Sequence, residues 1–342
     1  MSVPSQYNSE DKTMNFIIAP SSNNKRKLTL CNLQDQSNLG KVNIFKDQSN
    51  VSFTSKNSTI LTYVNGMQAA PEGKSELYAK SGFIHPLYSP NGTRLTRIQP
   101  SDHYHHYGIW GPWTKTTIEG EHIDFWNLND GTGTVLFNSF KKYEKGNAYS
   151  SIKAIQHHNN LKSNETAIVE ELEIKTWNVN GVYLVDYNST FSSPLKNGIL
   201  FDAYRYGGGI GFRGTEKWGT ANSSILTSEG KTRLDADGNN AKWCIIEGES
   251  EVPNQRSGIL IMSHPNNRSH PEPMRVWPED TYEGKGNVFL EFCPIRHVEW
   301  KIEPNKNYQL KYRMLVFDGH LSPSEAEAHW QAFANQDNIN LN

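Results

Sequence analysis

Nowhere in the 342 residues is there a run of about 18 apolar side chains, so no membrane-spanning helix is expected. Charge of one sign is missing as well. Lys and Arg number 34 against 36 Asp and Glu, a formal net charge of −2, which gives no electrostatic case for nucleic acid or an anionic membrane as partner. Cysteine is scarce: Cys31, Cys244 and Cys293 are far apart, odd in number and without CxxC or Cys/His spacing. That excludes a disulfide framework and a zinc-finger pattern, and leaves them as small buried apolar residues. The opening MSVPSQYNSEDKTMNFIIAP has no basic stretch followed by an apolar core, so no signal peptide is visible there. GxSxG, HExxH, Walker and kinase signatures are all absent.

What the chain does have is strand signal. AIVEELEIKTW (167–177) and YQLKYRMLVFDG (308–319) alternate apolar and polar residues. VYLVDYNSTF (182–191), GILIMSH (258–264) and NVFLEFCPIRHVEWKIE (287–303) are rich in β-branched and aromatic residues. Turn clusters such as SPNGT, NLNDGTGT and DADGNN separate them, and no βαβ rhythm appears. The pattern predicts an all-β fold, an antiparallel β-sandwich of jelly-roll or supersandwich type. One short C-terminal helix is expected over LSPSEAEAHWQAF, with Ser322 as N-cap, Pro323 at N1 and Glu325 closing a capping box. Ala326, Trp330 and Phe333 would then share the buried face. With no linker or repeat evident, residues 21–342 read as one domain behind a loosely ordered tail, 1–20.

The densest chemistry is DHYHHYGIW, residues 102–110. His103, His105 and His106 lie within four positions in a chain holding 12 histidines. If this stretch is a strand end or rim loop, alternation sends His103 and His105 to one side and His106 to the other. Paired imidazoles suit metal ligation or proton transfer to and from a sugar, with Asp102 orienting a ring or supplying a further ligand. The plainer alternative is a hydrogen-bonded corner. EGEHIDFWN (119–127) adds Glu121, Asp124 and Trp126, carboxylates beside a stacking ring as in a carbohydrate site. In AYRYGGGIGFR, four glycines at 207–209 and 211 permit close backbone approach, while Arg205 and Arg213 are placed to clamp a carboxylate or sulfate. SHPNNRSHPEP holds His264 and His270 on a stiff loop.

These four segments together resemble the PmoA family, a domain family named after methane oxygenase. The matching motifs run from Asp102 to Trp110, Asp124 to Trp126, Gly208 to Arg213 and His264 to Asn266, over roughly residues 80–320. The resemblance implies carbohydrate metabolism and a periplasmic or secreted setting; the name itself would suggest copper and membrane chemistry, which the absence of an apolar span argues against.

The resulting expectation is a glycoside hydrolase acting on an oligosaccharide. His103, His105, His106, Asp102, Glu121, Asp124 and Tyr206 are the catalytic candidates, and Trp110, Trp126, Arg205, Arg213, His264 and His270 the binding ones. A lyase or epimerase using His and Tyr, and a non-catalytic carbohydrate-binding protein, are the alternatives. No spacing demands a cofactor, and a His-bound divalent metal stays open. The histidine cluster, Arg213 and His264 are expected to meet in one pocket.

Overall fold

The computed structural model describes residues 3, 5–9, 12–17, 40–179, 181–281 and 284–335. Eight strands form one sheet, in the spatial order Gly133–Lys145, Tyr149–Asn160, Glu165–Val179, Val182–Ser192, Tyr308–Asp318, Arg256–Ser263, Trp243–Glu249 and Ser223–Thr227. Nine form a second: Asn240–Ala241, Glu272–Val276, Phe289–Phe292, Ile210–Arg213, Ile109–Trp110, Phe83–Leu87, Ser58–Val64, Asn50–Ser55 and Val42–Lys46. The pairings are antiparallel, and residues of both sheets share one apolar core, so the architecture is the antiparallel sandwich that the short, turn-punctuated strands predict. Four shorter strands, Trp300–Ile302, Ile199–Phe201, Thr116–Ile118 and Glu121–Ile123, make a small sheet whose apolar residues join that core.

Strand alternation decides which face each side chain serves. In Tyr308–Asp318, Leu310, Tyr312, Met314 and Val316 point between the sheets, while Leu315 and Phe317 point outward to a second cluster. The helix Pro323–Ala334 packs on that outer face through Ala326, Trp330 and Phe333, with the expected Ser322–Glu325 capping box in place. The nine-stranded sheet follows the same logic on the other side of the molecule. Ile84, Ile109, Phe212 and Leu290 point into the core, and Phe83, Trp110 and Phe289 point outward to a third cluster with Tyr107, Trp126 and Trp277.

Two details depart from the sequence reading. The run 287–303 is not one strand: Phe289–Phe292 and Trp300–Ile302 lie in different sheets, parted by a turn in which Arg296 N–H donates to Cys293 O. Pro294, with no N–H to give a ladder, stands at that break. Within the expected tail, Ser5–Asn8 pairs with Thr13–Phe16, and Gln6 Oε1 accepts the N–H of Ala148 (3.4 Å) and Tyr149 (3.3 Å). Cys244 and Cys293 are buried thiols, as their spacing implied; Cys31 lies outside the described residues.

Candidate functional site

The histidine segment is a run of turns. His103 N–H donates to Pro100 O, His106 N–H to His103 O, and Gln99 N–H to His106 O, closing the loop on itself before the strand Ile109–Trp110 begins. Gly108 makes the passage, with φ +66 and Ile84 O only 2.4 Å from where a Cβ would stand. This overturns the alternation argument. A turn does not send successive side chains to opposite faces, and all three imidazoles gather: ring centroids are 5.2 Å apart for His103–His105, 4.6 Å for His103–His106 and 5.0 Å for His105–His106.

Beneath them is the outward face of the nine-stranded sheet. His106 is wholly buried, stacked on Trp126 (5.4 Å, 26°) and packed against Trp110, Trp277 and Phe289. Arg213, also wholly buried, reaches up from its strand: Nη2 donates to Asp102 Oδ2 at 2.5 Å, Nη1 lies 3.4 Å from His106 Nδ1, and the guanidinium sits over Trp277. Asp102 Oδ2 also receives His103 Nδ1 at 3.2 Å. Burial alone would raise the Asp102 carboxyl. The His103 hydrogen bond and the Arg213 charge outweigh it and hold the group well below the usual carboxylate range. Burial, then the nearby His103 and Arg213, push His105 down to about 3, and burial with Arg213 pushes His106 well below its ordinary value. Both rings are therefore neutral at pH 7.

The open side of the cluster is a cavity of about 240 Å³ lined by His103, His105, His106, Thr114, Trp126, Asn127, Tyr204, Arg205 and Tyr206. That is somewhat below the ~300–1,000 Å³ usual for small-ligand pockets and suits a single ring-sized group. Trp126 is fixed by its indole N–H donating to His105 O (2.9 Å). On the far wall, Tyr206 packs against Trp126, and its hydroxyl oxygen accepts Arg275 Nη2 (2.9 Å) and Trp277 Nε1 (3.1 Å). The glycine run carries this wall over the sheet. Gly208 has φ +81 with Trp113 Cζ3 only 2.0 Å from where a Cβ would stand, and Gly207 N–H donates to Glu291 Oε1 at 2.6 Å. Burial pushes the Glu291 carboxyl well above its ordinary range.

Several candidates are placed elsewhere. Asp124 is buried with its carboxylate fully engaged: Oδ1 accepts Trp126 N–H (2.8 Å) and Asn127 N–H (2.7 Å), and Oδ2 accepts Asn127 Nδ2 (2.7 Å). It shapes the turn that presents Trp126 and Asn127 and does not line the pocket. Glu121 is exposed on its hairpin and pairs with Lys162 at 3.3 Å. Trp110 is floor, 2% exposed, with no surface to offer a ligand. His264 and His270 pack on the helix across the sandwich, His264 against Phe333 (5.1 Å) and His270 parallel to Trp330 (5.8 Å). The expected meeting of His264 with the histidine cluster does not occur. Their loop is instead tied down by the buried Glu272, whose Oε1 accepts Ser263 Oγ (2.6 Å) and Asn267 Nδ2 (2.7 Å) and whose Oε2 accepts Tyr312 O–H (2.8 Å).

Sequence reasoning missed Tyr204, Asn127, Thr114, Arg275 and Trp277. Asn127 directly follows the aspartate–aromatic motif and Tyr204 opens the glycine segment, so both were within reach. Arg275 and Trp277 sit in an apolar strand and its end and carried no signal.

As a metal site the three histidines qualify by number and spacing, with one ligand atom from each within 4.8 Å of the others. Two features oppose it. His106 Nδ1 faces an Arg213 N–H and so must accept, which puts the ring hydrogen on Nε2. Among the described residues no carboxylate lines the pocket to offset a cation held beside that guanidinium.

Solved structures of similar shape include a galactose mutarotase-like protein from Clostridium acetobutylicum, 8% identical with a TM-score of 0.44, covering 84% of this chain and 100% of that one. A putative aldose 1-epimerase from Escherichia coli K12 is 10% identical (TM-score 0.38; 82% and 100% covered). Heparan sulfate lyase HepC from Pedobacter heparinus is 10% identical (TM-score 0.37; 84% of this chain, 37% of that one), so the chain spans well under half of that lyase. No curated protein sequence matches. The motif resemblance to the PmoA family is corrected by the family comparison: the matching model is a different one, and it matches most of the chain where the motifs were four short segments. Through residues 50–331, this chain belongs to the family of unknown function DUF6807.

Proposed function

We propose that this is a carbohydrate-active enzyme working by histidine and tyrosine proton transfer, as a lyase or epimerase does, rather than by the paired carboxylates of a glycosidase. One observation carries the reading: the pocket combines aromatic walls and three imidazoles with a doubly hydrogen-bonded tyrosine, and among the described residues no carboxylate lines it. A glycosidase needs two carboxyl groups flanking the scissile bond, and Glu121 and Asp124 are both committed elsewhere.

In this reading Tyr204 stacks on the sugar ring, and Trp126, buried and packed against His106 and Tyr206, braces the wall. With its Nδ1–H donated to Asp102, His103 carries its basic lone pair on Nε2 and takes a proton from carbon. Tyr206 already accepts from Arg275 and Trp277, so its own hydrogen is the one to give, and those two donors stabilise the phenolate left behind. In an elimination the C–H bond at one carbon and the C–O bond at the next break, a C=C bond forms, and the leaving oxygen receives the tyrosine proton. In an epimerisation the carbanion is reprotonated on its other face.

The test is turnover of an oligosaccharide panel in ¹⁸O-labelled water, with products weighed by mass spectrometry. Lyase or epimerase products carry no label, and Tyr206→Phe or His103→Gln lowers the rate about 10²–10⁴-fold. Label at a new reducing end, with the rate surviving in both variants, would overturn the reading.

A further inference from the structure

We infer that the pocket takes an acidic sugar, a hexuronate whose carboxylate is received at the Arg205 side. The inference rests on the acid–base reading above and names its substrate class. Three groupings of positive charge lie around the cavity, and among the described residues their positive groups outnumber the carboxylates paired with them. Arg275 and Arg296 share the single carboxylate of Asp237, at 2.9 Å and 3.2 Å. Arg213 holds Asp102, and Arg97 adds a second guanidinium close enough for the two charges to be felt at that carboxylate. Arg97 Nε and Nη2 are buried without a hydrogen-bond partner among the described residues.

Arg205 is the third. It lines the pocket, is exposed, lies over the Tyr206 ring at 5.3 Å, and has no ion-pair partner among the described residues. Lys115 stands over Tyr204 on the same rim. Among the described residues no lining residue is acidic, and burial pushes the carboxyl of Glu291, which accepts the Gly207 N–H, well above its ordinary range. A neutral ligand would leave this excess uncompensated, whereas an anion is both steered in and held.

Position favours a carboxylate over other anions. Arg205 flanks Tyr206, and a planar guanidinium matches a planar carboxylate through two parallel hydrogen bonds. A carboxylate held there presents its neighbouring carbon to His103 and Tyr206. That C–H is the one a carboxylate acidifies, and so the one a neutral imidazole can open.

The experiment titrates the intact protein with a hexuronic-acid disaccharide, its methyl ester and a sulfated neutral disaccharide, by calorimetry at low and high salt. The acid is expected to bind roughly tenfold more tightly than the ester, with the gap shrinking at high salt. Arg205→Gln should abolish the gap and Arg205→Lys keep part of it, both without a change in melting because the side chain is exposed. Equal binding of acid and ester, an unchanged gap in Arg205→Gln, or preference for the sulfated sugar would overturn the proposal. Turnover separates the two claims. A preference for acid without any proton exchange or cleavage supports the substrate class and sinks the acid–base reading. Unlabelled turnover of neutral sugars alone does the reverse.

Discussion

Replacing Glu272 by Gln should flatten the pH dependence of stability across the mildly acidic range. Glu272 is fully buried between the His264–His270 loop and the core, and burial outweighs its hydrogen bonds from Ser263, Asn267 and Tyr312 to push it up from about 4.5 to about 7. The folded chain therefore keeps a proton that the unfolded chain releases near pH 4.5. Where the folded state binds more protons, stability falls as pH rises, so this contribution is full below about 4.5 and lost by the time pH passes about 7. The difference between about 4.5 and about 7, at ~1.36 kcal/mol for each tenfold change in proton affinity, makes the loss on the order of 3 kcal/mol. Gln keeps an oxygen for Ser263 and Asn267 and turns an N–H toward the Tyr312 oxygen, so the network survives while the titration disappears. Urea unfolding followed by far-ultraviolet circular dichroism, at several pH values from roughly 4.5 to 8, compares the two proteins. Asp124 and Glu291 also titrate from raised positions, but they do so in both, and the difference between the curves isolates Glu272. Parallel curves would refute the reasoning.

Asp102→Asn strips the counter-charge from a wholly buried Arg213 and should destabilise by about 3–5 kcal/mol, measured by denaturant melts; a change under about 0.5 kcal/mol would show that the pair does not matter. Asp124→Ala removes three hydrogen bonds and orphans two backbone N–H groups, so a loss of about 2–4 kcal/mol is expected. In that variant the Trp126 wall should also loosen, read as faster amide exchange at Trp126 and Asn127. Trp330→Ala empties the helix–sheet contact and should cost about 3–5 kcal/mol. Its effect on the pocket should be nil, so turnover per folded molecule measured at low temperature should equal that of the unaltered chain.

Local signals were legible in the sequence, and non-local ones were not. The helix was readable because its determinants, Ser322, Pro323 and Glu325, are neighbours along the chain. The alternating strands were readable because period two reports a half-buried surface directly. The histidine cluster stood out by composition, but its geometry followed turn chemistry that a strand-based reading reverses. His264 and His270 looked like ligand-binding residues because what they pack against, Phe333 and Trp330, arrives about sixty to seventy residues later. Glu121 looked like a catalytic acid from its neighbours, yet its hairpin aims it at Lys162. Arg275 and Trp277, which hold Tyr206, gave no hint, because a strand inside a sheet reads the same whichever loop later crosses its outer face.

The helix cluster and the histidine cluster occupy opposite outer faces, with both sheets and the main core between them. Substitutions on the two sides share no partners, and their free energies should sum. An engineer therefore has a region to harden without stiffening the pocket. Better helix packing or added charge pairs around Pro323–Ala334 would raise the margin of stability, and that margin can absorb disruptive changes to Arg205, Tyr204 or Asn127 made in search of a new specificity. Variation accumulating in a natural lineage has the same latitude, with one face free to drift in recognition while the other keeps the sandwich closed.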